Sequence, residues 1–295
     1  MTAKPLRILL CTKRDLAGSL ILNRLLPRLT GDTVMVLLSD KTRPVENAVP
    51  ELAEMKFLER ELPVDTLFPL ADRLGLAEGA RLVTFDGIPA RFGAPIKVVT
   101  DINGPDGEAL VRDFAPDLII SARFSLIFKA NIFSIPPLGT YNVHPGALPR
   151  YAGLFAPFRC LVKGADSIGC TLHRVDAGID TGPIVGIGWL PVERERSLLW
   201  HVLKIYQPGL DLLLDMLDDM RAGRPVVETV QDTSQRKYAS LPDLDAFRAF
   251  RQTGMRLYDP ADYLDILRGF LSPGIELPLA VAGEGWGAPC CCAHA

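Results

Sequence analysis

Along the first two thirds of the chain, apolar residues gather in short continuous runs separated by longer amphipathic stretches. Runs without polar alternation suit strands covered on both faces, and amphipathic stretches between them suit crossover helices, so the pattern predicts a largely parallel sheet. The predicted strands are residues 7–11, 34–38, 97–100, 118–121, 139–144, 169–175 and 183–190. Helices are predicted over 16–29, 49–61, 106–114 and 156–163. From 197 to 222 a long helix carries Leu198, Val202 and Ile205 on one face, interrupted at Pro208 and stopped by Gly223 and Pro225. The expected architecture is α/β, a Rossmann-like, mostly parallel twisted sheet flanked by helices over 1–205, with a small C-terminal appendage over 206–287. Residues 288–295, rich in Gly, Ala and Cys, are expected to be a disordered tail.

Composition narrows the class. With 295 residues, 48% hydrophobic and 23% charged, the chain can bury a substantial core, and a net charge of −3 gives no general attraction to polyanions or anionic membranes. A nucleic-acid target would need a local basic patch. The N-terminal apolar run is too short for a signal peptide and nothing approaches a membrane span, so the cytoplasm is the default compartment. Cys11, Cys160 and Cys170 stand singly among apolar residues and read as small buried hydrophobes in a reducing compartment. Cys290, Cys291, Cys292 and His294 are thiophilic, but adjacent cysteines are poorly placed for a tetrahedral site, and no metal is expected.

The stretch TYNVHPGALPRYAG, Thr140 to Gly153, is where chemistry first shows. In an extended strand Asn142 and His144 point the same way and Val143 into the opposite layer. Pro145 cannot donate to a ladder, which makes His144 the last strand residue. Polar side chains at the carboxyl end of a sheet strand are where open α/β folds keep their sites, although an Asn and a His there also simply cap the following loop. Of the other histidines, His201 reads as an ordinary, partly exposed helical residue and His173 as a hydrogen-bonded structural one. A second cluster, VDAGIDTGPIV from Val175 to Val185, places Asp176 and Asp180 around Gly178 in a loop between two strands. A carboxylate in such a loop can reach a histidine on a neighbouring strand, fix its tautomer and raise its basicity. Asn142, His144 and Asp180 would then donate to an oxyanion, move a proton and tune that proton transfer.

The Asn142-Val143-His144-Pro145 run followed by ALPRYAG, together with GCTLHRVDAGIDTGPIV, resembles the folate-dependent formyltransferases, whose members include glycinamide ribonucleotide transformylase, methionyl-tRNA formyltransferase and amino-sugar N-formyltransferases. The resemblance is close over about residues 80–190. It implies that Asn142, His144 and Asp180 are catalytic, and that 10-formyltetrahydrofolate is the formyl donor. It also implies that the donor's pterin lies against Phe124, Leu126, Ile127 and Phe128 on one side and Val175, Asp176, Ala177 and Gly178 on the other. The same FSLIF segment reads equally well as core packing.

Departures from the family pattern bear on the acceptor. CTKRDLAGS after the first strand lacks the Gly-rich phosphate loop of the purine-pathway enzyme, although the amides near Gly18 and Ser19 could face an anion. No GxGxxG dinucleotide fingerprint occurs. Residues 206–295 hold 13 acidic against 8 basic side chains and no alternating strand series, unlike the tRNA-binding barrel of the methionyl-tRNA enzymes. The resemblance therefore implies a small-molecule amine acceptor, a nucleotide-linked amino sugar ahead of a hydroxylated amino acid such as N-hydroxyornithine, with no nucleic-acid or membrane partner and a homodimer left open. A formyltetrahydrofolate hydrolase uses the same residue types; that family carries an N-terminal regulatory domain, whereas the first strand here begins near residue 7.

Overall fold

Strands that are apolar at every position are covered on both faces. Along β1 (Arg7–Lys13), Ile8 and Leu10 enter one core with Val34, Val36, Leu118 and Ile120, while Leu9 and Cys11 enter a second with Met35, Leu37 and Ile119. The computed structural model describes residues 5–275. The expected tail, with Cys290, Cys291, Cys292 and His294, lies outside the described residues. Cys11, Cys160 and Cys170 are buried free thiols.

The other strands are β2 (Thr33–Ser39), β3 (Ile96–Val99), β4 (Leu118–Ala122), β5 (Thr140–His144), the two-residue β6 (Ala152–Gly153), β7 (Ser167–Arg174), β8 (Ile184–Pro191) and the two-residue β9 (Tyr238–Ala239). Seven of them form one sheet in the order β3-β2-β1-β4-β5-β7-β8. The first five are mutually parallel, whereas β7 and β8 form an antiparallel extension. All seven predicted strands are present. Their order reverses its direction of growth between β1 and β4, which opens the crevice where sheets of this kind bind ligands.

Helices follow the predicted positions with physical exceptions. Helix Leu16–Leu25 tightens into a 3-10 turn at Pro27, short of the predicted end. The predicted 49–61 helix is α-helical only over Pro50–Lys56. It then widens into a π-helix, Phe57–Leu67, around Pro63, which lacks an N–H and crowds the preceding turn, and continues as Phe68–Arg73.

The predicted 197–222 helix is two helices, Leu198–Lys204 and Tyr206–Arg221, and it breaks at Ile205 rather than at Pro208. Pro208 falls in the first turn of the second helix, where no intrahelical donor is needed. That second helix is not part of an appendage. At Gly209 a Cβ would lie 2.5 Å from Cys170 Sγ and 2.7 Å from Val143 Cγ1, so glycine lets the helix rest directly on β5 and β7. A boundary at residue 205 thus cuts through the sheet's own covering layer. Helices Leu244–Gln252 and Pro260–Leu267 follow, the first packing Phe247 and Phe250 on Phe158 at centroid separations of 4.8 and 5.5 Å.

Candidate active site

The carboxyl ends of β1, β4 and β5 open into a cavity of about 350 Å³. Register places Cys11 beside Ser121 and Ser121 beside Asn142, so the three strand ends lie in adjacent rows. Asn142 and His144 both line the cavity, and the Val143 side chain packs into the core of the opposite layer, as strand alternation requires. His144 is the last residue of β5.

Asn142, His144 and Asp180 are brought together. His144 Nε2 donates to the Tyr151 carbonyl over 2.8 Å, and its Nδ1 faces Asp180 Oδ1 at 3.5 Å. The other Asp180 oxygen, Oδ2, accepts from the Gly153 amide over 2.8 Å.

His173, expected from sequence to be a hydrogen-bonded structural residue, is one, and its bonds tie it to this cluster. It stands opposite Asn142 in the β5–β7 ladder. Its Nδ1 lies 2.9 Å from the Arg174 carbonyl, which can only accept, so Nδ1 carries the proton and Nε2 is left as an acceptor. The Asn142 amide donates to that Nε2 over 3.1 Å. Burial drives the His173 ring down to about 4, helped by the neighbouring His144 and opposed by Asp180, which keeps it neutral. Finding His173 from sequence would have required the direction and register of β7. His201 is also a correction, being fully buried, with Nδ1 at the Ser197 carbonyl and Nε2 accepting from the Glu193 amide.

Of the residues expected to hold a pterin, Phe124, Leu126, Ile127, Phe128, Val175, Asp176 and Gly178 line the cavity and Ala177 does not. Phe128 is also part of the second core, with Phe124 stacked on it at 5.3 Å and 15°. The segment thus both packs the core, chiefly through Phe128, and lines the cavity. Between them Ser125 Oγ is buried without a hydrogen-bond partner.

Sequence reasoning also missed a charged floor. Asp15 caps helix Leu16–Leu25 by accepting from the Gly18 amide, so its carboxylate occupies the place where an anion near Gly18 and Ser19 would sit. Arg123, left-handed at φ 63°, donates to Asp15 over 2.7 Å and pairs with Glu59 of the π-helix. Lys13 Nζ lies 4.0 Å from Asp15, and burial lowers the lysine below its usual range against the pull of that carboxylate. The signal available was charge placed at the end of an apolar run: Lys13, Arg14 and Asp15 where β1 ends and Arg123 after β4.

A sequence profile described as Formyl transferase matches residues 101–198. The methionyl-tRNA formyltransferase of Kosmotoga olearia is 27% identical over 239 residues, 80% of this chain and 76% of that protein. Seven further methionyl-tRNA formyltransferases are matched over 41% to 61% of their own length. Among solved structures, a 4-N formyltransferase from Francisella tularensis shares the fold with a TM-score of 0.53 at 16% identity, over 93% of this chain and 91% of that one. The N-formyltransferase from Helicobacter canadensis, solved with folinic acid and dTDP-3-aminofucose, gives 0.50 at 16% identity over 90% and 80%. The profile match runs through β4 to β8 and so takes in Asn142, His144 and Asp180; over these residues the chain is similar to the formyl transferases.

Proposed function

We propose that the protein transfers a formyl group from 10-formyltetrahydrofolate to the amine of a small molecule, a nucleotide-linked amino sugar. The observation that carries this reading is the convergence of Asn142, His144 and Asp180 on one wall of a cavity whose neighbouring wall is the Phe124–Phe128 segment. The residues fit a pterin, since an apolar aromatic face at Phe124 adjoins a buried hydroxyl, Ser125 Oγ, that has no protein partner. The donor supplies the carbonyl carbon that the amine attacks.

The chain's own contribution is electrostatic and protonic. One Asn142 N–H is held by His173, which orients the amide and leaves its second N–H for oxygen as negative charge develops there. His144 has Nε2 committed to Tyr151, so proton exchange falls to Nδ1, the nitrogen facing Asp180. Asp180 Oδ1, 3.5 Å from Nδ1, is the acceptor that orients the ring.

Two features favour a nucleotide-linked acceptor. Lys41 and Arg43 line the cavity rim as cations suited to a diphosphate, and Phe155 with the half-exposed Tyr238 supplies aromatic surface for a base or sugar ring. Incubating the protein with 10-formyltetrahydrofolate and a panel of nucleotide-linked amino sugars, N-hydroxyornithine and aminoacylated tRNA, while following tetrahydrofolate release and product mass, tests the proposal. Formylation of an amino sugar supports it. Release with no formylated amine points to a hydrolase, and formylation of another acceptor corrects the substrate.

A further inference from the structure

We propose that residues 228–239 form a strap that positions Asp180, with Gln231 and Arg236 as its positioning residues; this rests on Asp180 taking part in formyl transfer. The need for a strap follows from topology. Because β7 is antiparallel to β5, it ends with Arg174 opposite Tyr141, and the Val175 amide donates to Thr140. The loop carrying Asp180 thus starts at the wrong end of β5. To reach His144 it must double back over the sheet by three residues, about 10 Å at the rise of a strand. It arrives with Asp180 itself left-handed at φ 55°, a conformation that non-glycine residues hold only when their surroundings impose it.

The first half of the loop is closed by Asp176, whose Oδ1 accepts from the Gly178 amide and the Thr181 hydroxyl. Its second half is gripped from outside. Gln231 Nε2 donates to the Gly182 carbonyl over 2.6 Å and reaches the Asp180 carbonyl at 3.3 Å, and Arg236 donates to the Ile179 carbonyl over 2.8 Å. The Thr229 backbone bridges Ile184, where β8 begins.

The strap also holds the partner of the Asp180 carboxylate. β9 pairs with β6, setting Ala239 beside Gly153, whose amide donates to Asp180 Oδ2. At Gly153, φ is 85°, and a Cβ would sit 2.3 Å from the Ala239 carbonyl oxygen, so only glycine brings these backbones together. Gln231 Oε1 and Arg236 Nε are buried without partners, an unfavourable state that both side chains accept in reaching the loop. Neither Gln231 nor Arg236 is among the residues lining the cavity, but Arg236 lies over the cavity-lining Tyr238 ring at 5.2 Å, so Gln231→Glu is the variant that leaves the ligand-binding surface untouched.

The test compares Gln231→Glu, which keeps shape but loses the donor, Arg236→Ala and Arg236→Lys. Steady-state release of tetrahydrofolate from 10-formyltetrahydrofolate is measured with each amine of the panel above, and hydrogen exchange at the Gly153 amide by NMR. Expected is a roughly ten- to hundredfold fall in kcat for Gln231→Glu and Arg236→Ala with little change in the KM for 10-formyltetrahydrofolate. Gly153 exchange should accelerate while amides of β5 stay protected, and Arg236→Lys should recover most of the turnover. A kcat within twofold of the parent, or unchanged Gly153 exchange, overturns the proposal. If the parent protein releases no tetrahydrofolate with any acceptor, the formyl-transfer reading has failed, and Gly153 exchange alone still decides whether the strap holds the loop.

Discussion

The Asn142 amide is aimed by a histidine that never needs to touch the substrate: its Nδ2 lies 3.1 Å from His173 Nε2, whose own proton is committed to the Arg174 carbonyl. Orientation of an oxyanion donor is thereby set within the sheet itself. Asn142→Ala should lower kcat by about two to three orders of magnitude, the usual effect of removing one such donor, with folate affinity little changed. Single-turnover kinetics beside a calorimetric titration with 5-formyltetrahydrofolate checks this. A loss explained by unfolding of the variant would count against the role.

His144→Ala should lower kcat by about two to four orders of magnitude. Val143→Ala is the internal control, because that side chain packs against Gly209 of helix Tyr206–Arg221 in the opposite layer. It should lower stability by about 1 to 3 kcal/mol while keeping most of the turnover. Near-parental turnover by His144→Ala would make the end of β5 structural only.

A pH dependence of stability follows from His173. Its folded-state value, about 4, lies below the ordinary 6.5, so the unfolded chain takes up the proton first. Its stabilising contribution is complete above pH 6.5 and is lost as pH falls towards 4, by about 1.4 kcal/mol per pH unit and about 3 kcal/mol in all. Denaturant titrations between pH 7 and 4 should show a shallower loss in His173→Gln, where the glutamine oxygen can still accept from Asn142. Parallel curves for the two proteins would contradict the assignment.

The two stacked phenylalanines should separate by phenotype. Phe124→Ala should weaken 5-formyltetrahydrofolate binding by roughly tenfold with a modest change in Tm, while Phe128→Ala should act mainly on Tm, as for a buried aromatic. Calorimetry in the presence of a chelator, with thermal melts of both variants, distinguishes the cases. Equal effects on binding would place both rings against the ligand.

The central strands were legible because burial on both faces leaves uninterrupted apolar runs such as ILLC and LIIS, while the half-exposed edge strands β3 and β8 showed only as short apolar runs. Asn142 and His144 were legible because alternation and Pro145 are local rules. What escaped depends on relations between distant segments. His173 joins the site through its register with β5, His201 is buried by packing that its own helix does not encode, and the π-helix around Pro63 reflects how one proline is accommodated. Residues 228–239, mostly polar, carry no periodic signal, and their grip on Ile179, Asp180 and Gly182 exists only in three dimensions.

The pairing of β6 with β9 sets an order on assembly. β4 through β8 lie between residues 118 and 191, whereas Gly153 needs Ala239, and Gly182 needs Gln231, from parts of the chain that are synthesised later. As the polypeptide emerges during synthesis, the sheet and its histidines can form while the aspartate loop is still unanchored. Catalytic competence then waits on Tyr238 and Ala239, so a chain in which the β6–β9 pairing is broken would keep its folded sheet and lack turnover.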